Sequence, residues 1–69
     1  MTSVNKTVYS DGITIHIPLP NGYNTYQIEV YRVTTATNIV WWHKWLKQKT
    51  WITESQINEF TNIALKYLE

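Results

Sequence analysis

Cysteine is absent from the sequence, which removes a disulfide framework and any thiolate metal site. Histidine is limited to His16 and His43, too few for a nitrogen-ligated zinc set. The two glycines stand in Asp11-Gly12 and Asn21-Gly22, both turn-forming pairs, so no glycine-rich loop is left to cradle a phosphate. Charge is also sparse, since Asp, Glu, Lys and Arg make up 16% of the chain and leave a formal net charge of +1. A surface of that kind exerts little long-range pull on polyanions and little repulsion on copies of itself. No apolar run approaches the ~18 residues of a transmembrane helix. The first residues lack the apolar core of a signal peptide, so the expectation is a cytoplasmic protein without a membrane partner.

Sixty-nine residues are expected to form a single compact domain, residues 1–69. A core of this size supplies only about 3–5 kcal/mol of net stability. With no disulfide or metal to reinforce it, dense aromatic packing or self-association has to do so. The aromatic supply is large, at 14% of the residues, and all four tryptophans fall between Ile39 and Trp51.

That stretch also holds Lys44, Lys47 and Lys49. At the roughly 100° per residue of an α-helix, Ile39, Trp42, Trp45 and Leu46 share one side, with Trp41 at its margin. His43, Lys44, Lys47 and Gln48 take the other. The stretch reads as an amphipathic helix capped from within Thr34–Asn38 and ending near Lys49 or Thr50. Lys49 projects back toward the apolar arc, where its methylenes can cover a tryptophan.

Three β-prone segments precede it. Val4 to Ser10 runs into Asp11-Gly12, which reads as a type I′ hairpin turn. On that register Tyr9 faces Thr14 and Thr7 faces His16. Ile13, Ile15 and Ile17 alternate with Thr14 and His16, so the isoleucines and Val8 are expected inside, with Thr7, Tyr9, Thr14 and His16 outside. Pro18 ends the ladder and Leu19-Pro20-Asn21-Gly22 reverses the chain. Tyr26 to Val33 is the third strand, with Ile28 and Val30 inward and Gln27, Glu29, Tyr31 and Val33 outward.

Beyond the tryptophans, Thr53-Glu54-Ser55-Gln56 fits a capping box that opens a second helix to about Leu68. Its stripe is Ile57, Phe60, Ala64 and Leu68, and Trp51-Ile52 precedes it as a hydrophobic staple. The fold class is α+β, a three-stranded antiparallel meander followed by two helices packed on one of its faces.

Catalytic chemistry is poorly supplied. The one acid–base grouping that the pattern allows is His16 with Glu29 on the outer sheet face, so the chain is expected not to be an enzyme and to need no cofactor or metal. The expected activity is binding, to another protein or to itself as a homo-oligomer, in the manner of small regulators and inhibitors of the mobile-element type. Tyr9, His16, Tyr31 and Trp41 are the candidate contact residues, because tyrosine and tryptophan offer large area with a polar tip. The alternative is a nucleic-acid-binding module in which Arg32, Lys44 and Lys47 meet phosphates and Trp41 stacks on a base.

Overall fold

The computed structural model describes residues 7–20 and 24–69, so the first three residues of the expected Val4–Ser10 strand and the Asn21-Gly22 turn lie outside the described residues. Strands β1 (Tyr9–Ser10), β2 (Thr14–Pro18) and β3 (Thr25–Glu29) form an antiparallel sheet in the order β1-β2-β3. A 3₁₀ turn (Val30–Val33) then leads to helices α1 (Ala36–Lys47) and α2 (Glu54–Leu65). The expected βββαα order is therefore present.

The first hairpin turns one residue later than the Asp-Gly signal suggests. Gly12 and Ile13 form its tip, closed by the Asp11 amide donating to the Thr14 carbonyl at 3.1 Å. Gly12 has φ of +94° while no other described residue has positive φ. A type I′ turn needs positive φ at both central positions, which Ile13 does not adopt. The Asp11 carboxylate drives this choice by accepting from the amides of Ile13 and Thr14, at 2.9 and 2.7 Å. Two consequences correct the sequence reading. Ile13, expected in the core, sits at the tip and is 76% exposed. The register moves by two residues, pairing Tyr9 with His16 rather than with Thr14. Because side chains alternate with period two, the faces are unchanged, and Val8, Ile15 and Ile17 are buried as expected.

β3 is shorter than the expected strand. It ends at Glu29, and the chain tightens into the 3₁₀ turn. Residues three apart eclipse one another in that geometry. Val30 and Val33 thus both turn to the core, Val33 fully buried where an extended strand would have pointed it outward. Tyr31 and Arg32 are thrown outward.

Both helices start where their caps dictate. The Thr35 hydroxyl accepts from the Asn38 amide at 3.2 Å to open α1. Thr53 and Gln56 form the full capping box of α2. The Gln56 amide nitrogen also donates to the Pro18 carbonyl at 3.1 Å, joining the start of α2 to the end of β2. Both helices stop earlier than expected, α1 at Lys47 and α2 at Leu65. After Leu65 the amides of Lys66, Tyr67 and Leu68 bond to carbonyls three residues back, a tightening that takes Leu68 off the apolar stripe and leaves it exposed.

One buried cluster joins sheet and helices: Val8, Ile15, Ile17, Ile28 and Val33 with Ile39, Trp42, Leu46, Ile57, Phe60 and Ala64. Each large side chain fully buried there contributes on the order of 1.5–3 kcal/mol relative to exposure. The short β1 is held from α2 and its C-terminal extension. Glu59 Oε1 accepts from the Val8 amide at 3.1 Å, and the Ser10 and Tyr67 hydroxyls lie 2.8 Å apart.

Candidate functional site

The four tryptophans form a continuous aromatic belt with Tyr26. Ring centroids lie 5.3 Å apart for Tyr26–Trp51, 5.5 Å for Tyr26–Trp45, 6.2 Å for Trp41–Trp45 and 5.0 Å for Trp41–Trp42. These are distances at which ring quadrupoles attract in tilted and edge-on arrangements. Tyr26 reaches the belt because Ile17 pairs with it across β2 and β3, which puts its ring on the helix-covered face. α1 supplies three of the rings from adjacent turns.

Burial falls off across the belt. Trp42 is 8% exposed and belongs to the core, whereas Trp41, its neighbour in sequence, is 55% exposed. Trp45 and Trp51 are half-buried against the core. The belt is flanked by two cations. Arg32 lies 5.9 Å from the Trp42 ring centre and Lys49 Nζ 4.2 Å from that of Trp45. Both are within the range of cation–π attraction. Lys49 thus covers a tryptophan as expected, although it lies past the end of α1 and does so with its ammonium group.

Two open depressions border the belt. Tyr31, Arg32, Asn38, Trp41 and Trp42 line one of about 440 Å³. Leu19, Pro20, Tyr26, Trp45, Lys49 and Trp51 line the other, of about 430 Å³. Tyr31 is 73% exposed at the rim of the first, carried there by the 3₁₀ turn.

The four candidate contact residues consequently divide. Tyr31 and Trp41 share the first depression, while Tyr9 and His16 stack face to face on the opposite side of the sheet, at 4.7 Å and 12° between planes. The sequence reading had placed Tyr31 beside them, and it is the early end of β3 that moves it away.

On that outer sheet face His16 bonds to Asp11, not to the expected Glu29. Its Nε2 is 3.2 Å from Asp11 Oδ2 and its Nδ1 is 3.2 Å from Thr25 Oγ1. The register explains the change: Glu29 stands opposite Thr14, and its carboxylate pairs with Arg32 at 3.5 Å. The Thr14 and Ile13 amides, followed by the His16 side chain, lower the Asp11 carboxyl from 3.8 to about 2. Asp11, His16 and Thr25 therefore act together as a polar clasp across the hairpin. The carboxylate spends one oxygen on backbone amides and the other on the imidazole.

The basic group of the nucleic-acid reading also separates. Arg32 lines the depression beside Trp41 and Trp42, whereas Lys47 lines another with His43, Glu54, Ile57 and Asn58. Lys44 is exposed one turn from Trp41. His43, at the core margin, lies 3.2 Å from the Thr61 hydroxyl through Nδ1, which ties α1 to α2. Among the described residues no group of three His, Cys, Asp or Glu is placed to hold a metal ion, and no helix is long and apolar enough to cross a membrane.

No family model matches the chain, and no curated protein or solved structure matches it. The functional reading rests on the geometry of the belt and its surroundings.

The sequence pattern groups Arg32 with Trp41 in the nucleic-acid alternative and Tyr31 with Trp41 among the contact residues, but an extended strand through Val33 keeps Tyr31 on the outer sheet face, away from Arg32. One signal was available. Val30 and Val33 are three apart, a spacing that period-two alternation does not produce.

Proposed function

We propose that the chain is a small interaction protein, not an enzyme, that binds another protein or a second copy of itself through the surface made by Tyr31, Arg32 and Trp41. The observation that carries this reading is the exposure of two large aromatic rings, Tyr31 and Trp41, which line one depression together with Arg32 and the buried Trp42. Tryptophan, tyrosine and arginine are the residues on which binding energy concentrates in protein interfaces. The rings are carried by a 3₁₀ turn, whose Val33 is buried in the core, and by a capped helix, so their backbone is already placed before a partner covers them. Low net charge favours association with neutral surfaces or with like copies. Regulation or inhibition of a partner in the cytoplasm is the role that such a module fits.

Light scattering behind size exclusion, over a wide concentration range, tests the reading. Self-association that Trp41→Ala and Tyr31→Ala both abolish supports the homo-oligomer. A monomer at all concentrations directs the test to partner capture, compared between the wild-type chain and Trp41→Ala. Partner retention that neither substitution alters overturns the proposed surface.

A second reading keeps one observation in its favour, the exposed Trp41 with Lys44 one turn away on the same helix. A single-stranded nucleic acid stacked there would bind with steep salt dependence. Salt-independent association removes that reading.

A further inference from the structure

We infer that the second depression, between Tyr26, Trp45 and Trp51, is a site for a quaternary ammonium group, held in the free protein by the chain's own Lys49. The site is separate from the Tyr31–Trp41 surface and does not depend on it.

Three aromatic rings converge there, Tyr26 standing 5.5 Å from Trp45 and 5.3 Å from Trp51 with tilts of 30° and 38°. Among the described residues Leu19 and Pro20 add to the wall, so ring faces and aliphatic carbon dominate their lining. The rings are half-buried and supported from behind by the core, Tyr26 and Trp45 both touching the Trp42 ring at 6.5 and 5.4 Å. This lining presents mainly ring faces, its polar side-chain groups are the Tyr26 hydroxyl, two indole N–H groups and the Lys49 ammonium, and none of its described residues is a carboxylate. It suits a ligand that is charged yet has no donors to satisfy, which describes a trimethylated ammonium.

The chain itself reports the preference of the site for cations. Lys49 Nζ lies 4.2 Å from the centre of the Trp45 ring. Both ion pairs of the described residues lie elsewhere, His16–Asp11 and Arg32–Glu29, and no carboxylate lines the depression. A primary ammonium is strongly hydrated and gives up water reluctantly in such surroundings. A methylated ammonium carries the same charge with a much smaller hydration cost. It can therefore displace Lys49, whose flexible stem swings back to solvent. Choline-type headgroups and trimethyllysine side chains share this chemistry.

The test follows the tryptophan indole N–H signals by NMR while choline, trimethyllysine amide and the neutral analogue of choline with carbon in place of nitrogen are added in turn. The wild-type chain is expected to show saturable shifts of Trp45 and Trp51 with the two cations and not with the neutral analogue. Lys49→Met keeps the stem and removes the internal competitor, so it should tighten cation binding by roughly five-fold. Trp45→Phe retains a ring with a weaker face and should loosen binding. The tighter of the two cations identifies the source of the ligand. Equal shifts with the neutral analogue, or no cation-dependent shift in Lys49→Met, overturn the assignment. Since Lys49→Met leaves Tyr31, Trp41 and every ring of the belt in place, the outcome in that variant is distinguishable from failure of the proposed interaction surface.

Discussion

Two parts of the interior are built differently. Beneath α2, Phe60 and Ala64 join Ile15, Ile17 and Ile28 in full burial, with compact side chains closing the space. Beneath α1, Leu46 and Ile39 are buried together with Trp42, while the other three tryptophans of the belt stay half-buried or exposed at the edge of the core. Aliphatic side chains and one phenyl ring interdigitate into a closed layer, while several large flat rings in a row leave wedges at their edges. The comparison teaches that the rings of α1 serve two ends: Trp42 packs in the core, while Trp41 and Trp45 border two open depressions.

The strongest way to break the contrast is Phe60→Ala. Removing a fully buried phenyl ring costs about 3–5 kcal/mol, which equals the whole net stability expected of a core this small. Circular dichroism should show a chain largely unfolded at room temperature, and a folded variant would mean that the aromatic belt carries more of the stability than its exposure suggests. Gln56→Ala should come next, because it leaves the Pro18 carbonyl and the Thr53 amide without their partners. A loss of roughly 1–3 kcal/mol is expected in urea titration, exceeding the ~1 kcal/mol of the simpler cap deletion Thr53→Ala.

A smaller effect is expected at the hairpin clasp, and it depends on pH. The Asp11 carboxyl is lowered from 3.8 to about 2 in the folded chain, so its contribution is complete above the unfolded value. It is lost as pH falls through the folded one. Between about pH 4 and pH 2 the wild-type chain should lose stability that Asp11→Asn, which cannot titrate there, does not lose. Parallel acid titrations of the two chains would disprove the role given to Asp11. The smallest effect on folding belongs to Trp41→Ala, under about 1 kcal/mol in the same urea titration. The proposed association should nevertheless disappear. A variant that both unfolds and dissociates would place Trp41 with the core after all.

Much of the architecture was legible because local chemistry and the global fold agree. Thr53-Glu54-Ser55-Gln56 specifies a helix start by its own hydrogen bonds, and Ile15 and Ile17 alternate with polar neighbours in a way that only a half-buried strand satisfies. The errors fall where a side chain or a packing demand reset the backbone. At the first turn the Asp11 carboxylate accepted from the Ile13 and Thr14 amides, which moved the turn by one residue and the strand register by two. After Glu29 the requirement to bury both Val30 and Val33 converted a β-prone run into a 3₁₀ turn. At Leu68 the tightening of the final turn after Leu65 rotated an apolar residue into solvent. The helical stripe of α1 was read correctly for Ile39, Trp42 and Leu46, and Trp41 was rightly set at its margin, but periodicity gave no scale for how open Trp45 would remain.

By itself, then, the order of residues determined the succession of three strands and two helices, the inward faces of the first two strands and the caps of α2, since each depends on neighbours within a few positions. Only the tertiary structure decided that Tyr31 and Arg32 would stand beside Trp41, that His16 would clasp Asp11 and Thr25, and that Tyr26, Trp45, Trp51 and Lys49 would enclose one depression. Those groupings join residues from separate elements, whose relative placement follows from packing the whole sheet against both helices at once.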